Sequence, residues 1–280
     1  MKIQHHKNVI KVKNFLVLIT FFTLFFSRVP SDPAYLYCQT VYLPKAVTDG
    51  GAIRGNVTLK GNPHEIVQMD ISQDNKTCGK TKPSPRLIPG NGGVANAVIY
   101  LEDISTGKAF PPDATYLLDQ HTCEYVPHIL IIPAGRNLTI VNSDAVLHNV
   151  HSYETSGEKR TVFNIAQPIK GVKSSTKPLT TPGFLTATCD AGHPWMSAYI
   201  VVAPHPYYTL TDKNGNYLLE NIPAGTYTLH LWHEGVTITK REMEHDKVKR
   251  YEFEAPYDQS RKVTITPNTT TTVNLEFSLR

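Results

Sequence analysis

Three things are scarce in this 280-residue chain. Charge of one sign is the first: the formal net charge is only +4, and no run of Lys and Arg is interleaved with aromatics. That excludes the electrostatic footprint of a nucleic-acid binder. Long apolar runs are the second. Phe15 to Phe26 (FLVLITFFTLFF) is continuous but too short for a comfortable membrane span. Sulfur is the third, with four Cys and four Met in all, so a place where the two types meet within eight residues is informative.

What is abundant points to strands. The chain has 14 Tyr and many Val, Ile and Thr, punctuated by 17 Gly and 20 Pro. This is the composition of an all-β protein with many turns. The length allows one large core or about two smaller ones.

The N-terminus bears on compartment. Lys2, Lys7, Lys11 and Lys13 precede the apolar run, the order of an export signal. Cleavage after Ala34 and retention as an uncleaved anchor are both open, because Asp32 stands where a small residue is preferred. Residues 1–34 are therefore read as signal peptide or anchor, and the protein as periplasmic or extracytoplasmic, with membrane attachment through that segment an open alternative. In such a compartment Cys78 and Cys123 are the candidates for a disulfide, since Cys38 lies near the processing site. Two unpaired thiols are the alternative.

Sulfur concentrates at Cys189 to Met196, reading CDAGHPWM between TAT and SAYIVV. A thiolate, an imidazole and a thioether lie within eight residues, on a loop between two strand-like segments. Thiolate and thioether are soft ligands that suit copper, whereas structural zinc would want further Cys or His close by, and this loop has none. His148, in NSDAVLHNVHSY, begins an extended segment some forty residues earlier and supplies a further ligand. His151, three positions on, faces away from it in a strand and reads as a surface residue.

The rest of the chain reads as strands and turns. GAIRGNVTLK (51–60), AVIYL (97–101) and FLTATC (184–189) are strands, the last with Leu185, Ala187 and Cys189 on one face. PHILIIPAGRNLTIVN (127–142) reads as strand, turn, strand, a hairpin leading into His148. From Glu154 to Pro182 the chain reads as irregular, with one short strand at Thr161 to Ile165. Tyr208 to Asp212 and Tyr217 to Ile222 read as a second hairpin around an Asn-Gly turn, and residues 236–254 as an exposed one. Four divisions follow: 1–34; an N-terminal β segment at 50–109; a copper domain at 110–204; and a separate small β-sandwich at 205–280. Residues 50–109 either extend the copper domain or belong to the C-terminal sandwich, which the copper domain would then interrupt.

PAGRNLTIVNSDAVLHNVHSY followed by TATCDAGHPWMSAYIVV resembles the cupredoxins, with the His-Pro-aromatic-Met order closest to the amicyanin loop. The resemblance covers about Phe110 to Pro204. TDKNGNYLLENIPAGTYTLHLWHEG is similar to the carboxypeptidase-regulatory-like, or transthyretin-like, sandwich of exported bacterial proteins. What the resemblance implies is an all-β Greek-key copper domain holding one copper ion, with His148, Cys189 and His193 as strong ligands and Met196 as the weak axial one. It further implies that Asn149 bonds across to the Cys loop, and that Pro194 and Trp195 form an apolar rim around His193. The implied function is non-enzymatic electron transfer with a redox partner protein. Amicyanin loops place two residues between Cys and His, whereas here Asp190, Ala191 and Gly192 intervene. That spacing matches the binuclear copper loop of the cytochrome oxidase subunit, but Leu185 occupies the place of its second Cys. Gly192 is the residue able to absorb the insertion by adopting a backbone conformation others avoid.

Alternatives of other classes stay open. A copper storage, sensing or delivery protein could use His5, His6, His121, His128 and His151 as ancillary sites, and an adhesion unit would leave the copper site degenerate. Multicopper catalysis would need an H-C-H arrangement, which Cys189 lacks. His230, His233 and Glu234 read as packing or surface residues rather than a metal site.

Overall fold

The computed structural model describes residues 41–61, 67–88 and 92–278. The export segment, Cys38, His5 and His6 lie outside them. Among the described residues strands make almost all of the regular structure, with one short helical turn at Asn75–Cys78. Among the described residues no helix is long and apolar enough to cross a membrane.

Two pairs of sheets each enclose a core. In the first pair, Lys173–Ser175, Thr139–Asn142, Leu117–His121 and Glu124–Val126 form one sheet in that order. Thr161–Gln167, His148–Glu154, Gly183–Cys189, His193–Ala203 and Ile129–Pro133 form the other. Leu118, Ile140 and Tyr125 from the first sheet meet Val150, Leu185, Ala187 and Ile200 from the second. In the second pair, Tyr208–Leu210, Val98–Glu102, Gly225–His233 and Tyr257–Ile265 face a sheet built on Gly51–Lys60. That strand pairs antiparallel with Asn216–Ile222 and, along its other edge, parallel with Thr270–Thr272 and Leu275–Ser278. Ile53, Val57 and Leu219 thus pack against Ile99, Leu229 and Val263.

Strand alternation explains how the two pairs join. Ala198, Ile200 and Val202 point into the first core, while Tyr199 and Val201 point the opposite way and meet Val98 and Trp232. The apolar run SAYIVV is continuous because both of its faces are covered. Phe184 stacks on Trp232 with ring centroids 4.4 Å apart, sealing the same layer.

Several sequence expectations change. The two strands around Pro133 do not pair with each other: Ile129–Pro133 runs parallel to His193–Ala203, and Thr139–Asn142 parallel to Leu117–His121. The segments around the Asn-Gly turn likewise diverge, Tyr208–Leu210 to Val98–Glu102 and Asn216–Ile222 to Gly51–Lys60. Both turns cross between facing sheets, because the flanking strands each carry an apolar face that different layers must bury. The polar stretch before Pro182 holds two strands, Thr161–Gln167 and Lys173–Ser175. The charged segment near the C-terminus is a two-stranded hairpin, Ile238–Glu244 with Lys247–Phe253, and its Tyr251 reaches into the first core.

Candidate metal centre

Strand register brings the site together. His148–Glu154 lies antiparallel to Gly183–Cys189, which lies antiparallel to His193–Ala203. Between the Thr188–Ser197 and Cys189–His193 pairs the second strand slips, leaving Pro194 to Met196 as a bulge. A bulge re-aims side chains at the end of a ladder, and here it directs His193 toward Cys189. Gly192 makes the preceding turn at φ +87°.

His148 Nδ1, His193 Nδ1 and Cys189 Sγ converge. The two nitrogens are 3.0 Å apart, and the sulfur lies 3.5 Å from His193 Nδ1 and 4.0 Å from His148 Nδ1. These separations suit ligands sharing one ion at bonds of about 2.0–2.3 Å. All three residues are buried, both histidines completely. Met196 is buried in the same core as Cys189.

The far side of each imidazole fixes its proton. His148 Nε2 lies 2.9 Å from Asp144 Oδ2, and His193 Nε2 lies 2.9 Å from Asp74 Oδ2. A carboxylate only accepts, so each Nε2 carries hydrogen, and each imidazole in its neutral form presents an Nδ1 lone pair. Two lone pairs then face each other across 3.0 Å in a buried site, an arrangement that wants a cation. Asp144 is itself anchored by the N–H groups of Thr122 and Cys123, at 2.8 and 2.7 Å. The His193 hydrogen bond holds the Asp74 carboxyl below its usual range. Burial pulls the His148 pKa down, against the opposing pull of Asp144.

Around the sulfur, Asn149 donates its N–H to Cys189 Sγ at 3.5 Å, and its side-chain oxygen accepts from Asp190 N at 2.5 Å. The Asn149 side chain thus ties the His148 strand to the Cys loop. Burial pushes the Cys189 thiol up, and the Asn149 N–H partly offsets that. Tyr125 donates to the Asn149 carbonyl at 2.5 Å.

The Trp195 ring lies beside His193, with centroids 5.1 Å apart and planes tilted by 52°. Trp195 is buried and donates Nε1–H to the Cys123 carbonyl at 3.1 Å, and Pro194 is half-buried. A polar partner joins Trp195 there: residues 71–78, which reach His193 through Asp74, are joined to the site core by a disulfide between Cys78 and Cys123. Asp144 stood four residues before His148 as a readable signal, whereas Asp74 is 119 residues from its histidine and no spacing pointed to it.

The other candidate histidines lie apart from this group. His151 bonds Asp190 at 2.5 Å and Thr161 at 2.9 Å, and His121 is exposed. His230 stacks on Tyr100 between Glu102 and Asp258, while His233 is buried against Phe277. His128 and Arg86 close on Glu234, with Arg86 Nη1 at 2.6 Å from Glu234 Oε2. Burial opposes the Glu234 charge, but Arg86 and His128 outweigh it and bring the carboxyl down to about 2.

No protein-family model matches the chain, and no curated protein matches it. Among solved structures it is similar to a purple cupredoxin from Nitrosopumilus maritimus, at 22% identity over 31% of this chain and 99% of that one, with a TM-score of 0.28. It is similar also to a reduced amicyanin mutant, at 23% identity over 39% of this chain and 99% of that one, TM-score 0.29. A third likeness is to the copper-containing nitrite reductase of Thermus scotoductus SA-01, at 23% identity and TM-score 0.27, covering 34% of this chain but only 24% of that one.

Proposed function

We propose that this chain is an exported electron carrier in which His148 Nδ1, His193 Nδ1, Cys189 Sγ and the Met196 thioether would hold one copper ion. The observation that carries the reading is the pair of buried Nδ1 lone pairs 3.0 Å apart beside a thiol, each fixed by a carboxylate on its far nitrogen. The donor set of two imidazoles, a thiolate and a thioether is that of blue-copper electron-transfer sites. A bound copper would supply a one-electron couple.

The chain's own residues then do three things. Asp144 and Asp74 hold the imidazole planes, so little has to move when the charge at the centre changes. Asn149 steadies the sulfur through its N–H. Burial excludes water and any substrate-sized group, with Met196 and Cys189 1% and 5% exposed, which favours a carrier over an enzyme. The same closure favours retention over delivery, the competing reading, which predicts ready loss of copper to a chelator.

Export is supported by the Cys78–Cys123 disulfide, a bond that persists in oxidising compartments. The division of the chain that best suits the two cores inserts the copper domain into the second sandwich. Gly51–Lys60 and Val98–Glu102 pair with strands from residues 208–278.

The test is to add one equivalent of Cu(II) to the purified protein and record optical and EPR spectra beside Cys189→Ser. An intense thiolate-to-copper band with mononuclear EPR, absent from the variant, is expected. A colourless tetragonal spectrum that the variant leaves unchanged would overturn the reading, and a seven-line EPR pattern would show a binuclear centre instead.

A further inference from the structure

His193 is completely buried although its chain neighbours are not: Gly192 is exposed, and Ala191 and Pro194 are half-buried. Residues 71–78 supply much of the missing cover. Asp74 meets His193 Nε2 at 2.9 Å, and Gln73 donates Nε2–H to the Ala191 carbonyl at 3.0 Å. Gly192 lies directly under the Gln73 amide, where a Cβ would come within 2.4 Å of Gln73 Oε1.

The segment is fastened at both ends. Ile71 and Cys78 are buried in the core of the site. Asn75 spans the turn, donating to the carbonyls of Ile71 at 2.8 Å and Gly79 at 2.9 Å. Cys78 is bonded to Cys123, whose own N–H holds Asp144, the carboxylate behind His148. The two carboxylates behind the two histidines therefore hang on the two halves of one disulfide.

We propose that residues 71–78 form a cap latched by the Cys78–Cys123 disulfide over the His193 side of the centre, and that Asp74 is the residue that positions His193 from within it. Because both cysteines are buried, the latch is a permanent fixture rather than a switch. A partner that approaches the His193 loop meets Gln73 and Asn75 on the cap, not the imidazole edge. The consequence for electron exchange rests on the copper reading above; the cap itself does not.

The decisive experiment uses the metal-free full-length protein, diethylpyrocarbonate as the probe, and peptide mass spectrometry to follow each histidine. In the wild type, His193 and His148 should react on the order of tenfold or more slowly than exposed His121, as expected of groups that need local opening. Asp74→Ala should raise the rate at His193 by about tenfold while leaving His148 protected, and the paired change Cys78→Ala with Cys123→Ala should raise the His193 rate to a similar extent. Asp74→Asn, which keeps an accepting oxygen, should restore most of the protection. A wild-type His193 that reacts as fast as His121 would overturn the cap, as would a rate that neither variant changes. If the cysteine pair does not fold, Asp74→Ala with its disulfide intact decides alone. Absence of a thiolate-to-copper band from every form would remove the copper reading, and the labelling rates would still judge the cap.

Discussion

Two buried polar clusters in this protein use the same residue types to opposite ends. At Arg86, His128 and Glu234 the groups are turned on one another: the carboxylate takes one oxygen to the guanidinium and the other to the imidazole, and His128 Nδ1 reaches the Ser197 carbonyl at 3.0 Å. At His148, His193 and Cys189 the carboxylates stand behind the rings, so the unprotonated nitrogens converge on one point with the sulfur. The first cluster turns its charged groups on one another, and the second turns its donor atoms toward a shared point. A buried histidine beside a carboxylate is thus no functional signal in itself. What discriminates is whether lone pairs are spent on neighbours or directed together.

Breaking the closed cluster should have the largest effect on folding. Glu234→Gln strands Arg86 in the interior and should lower stability by about 3–5 kcal/mol in urea denaturation, the usual loss when one partner of a buried pair is removed. Copper binding should survive it, and a loss of copper binding in a folded variant would show that the clusters are not independent. Acid titration sharpens the contrast next. The Glu234 carboxyl sits at about 2, below its ordinary 4.5, so its stabilisation is complete above the ordinary value and is lost as pH falls toward the folded one. Burial holds His205 at about 4, so its unfavourable protonation adds to the decline from about 6.5 downward. Wild-type stability followed by thermal melts should therefore fall between pH 6.5 and 2, with Glu234→Gln flatter below 4.5.

In the open cluster the smaller change belongs to the support behind a ligand. Asp144→Ala should weaken copper affinity by about 10–100-fold in chelator competition while keeping the thiolate-to-copper band. Smallest of all, His151→Ala removes a contact to a half-exposed Asp190 and should alter stability by less than about 0.5 kcal/mol, with the copper spectrum unchanged.

Much of the site was legible because its donors sit on local sequence. Cys189, His193 and Met196 occupy one loop, and the alternation of Leu185, Ala187 and Cys189 already set the thiol on the inward face. His148 followed from its place at the start of an extended segment, and Asn149 from the resemblance. Asp74 was not legible, because its approach to His193 depends on a disulfide and on a segment far away in the chain. The arches at Pro133 and Gly215 were misread as hairpins for a related reason: turn residues report that the chain reverses, but not whether the next strand returns beside the last one or crosses to the facing sheet.

The strand His193–Ala203, apolar on both faces, sets a practical limit on dissecting this protein. Excising residues 110–204 as a stand-alone module would bare Tyr199, Val201, Ile129 and Phe184 to water and remove Asp74 at the same stroke. A contiguous oily face of that kind invites self-association. The trimmed piece would report on an injured centre rather than on the native one, and the natural unit for biophysical work begins before Gly51 and ends after Phe277.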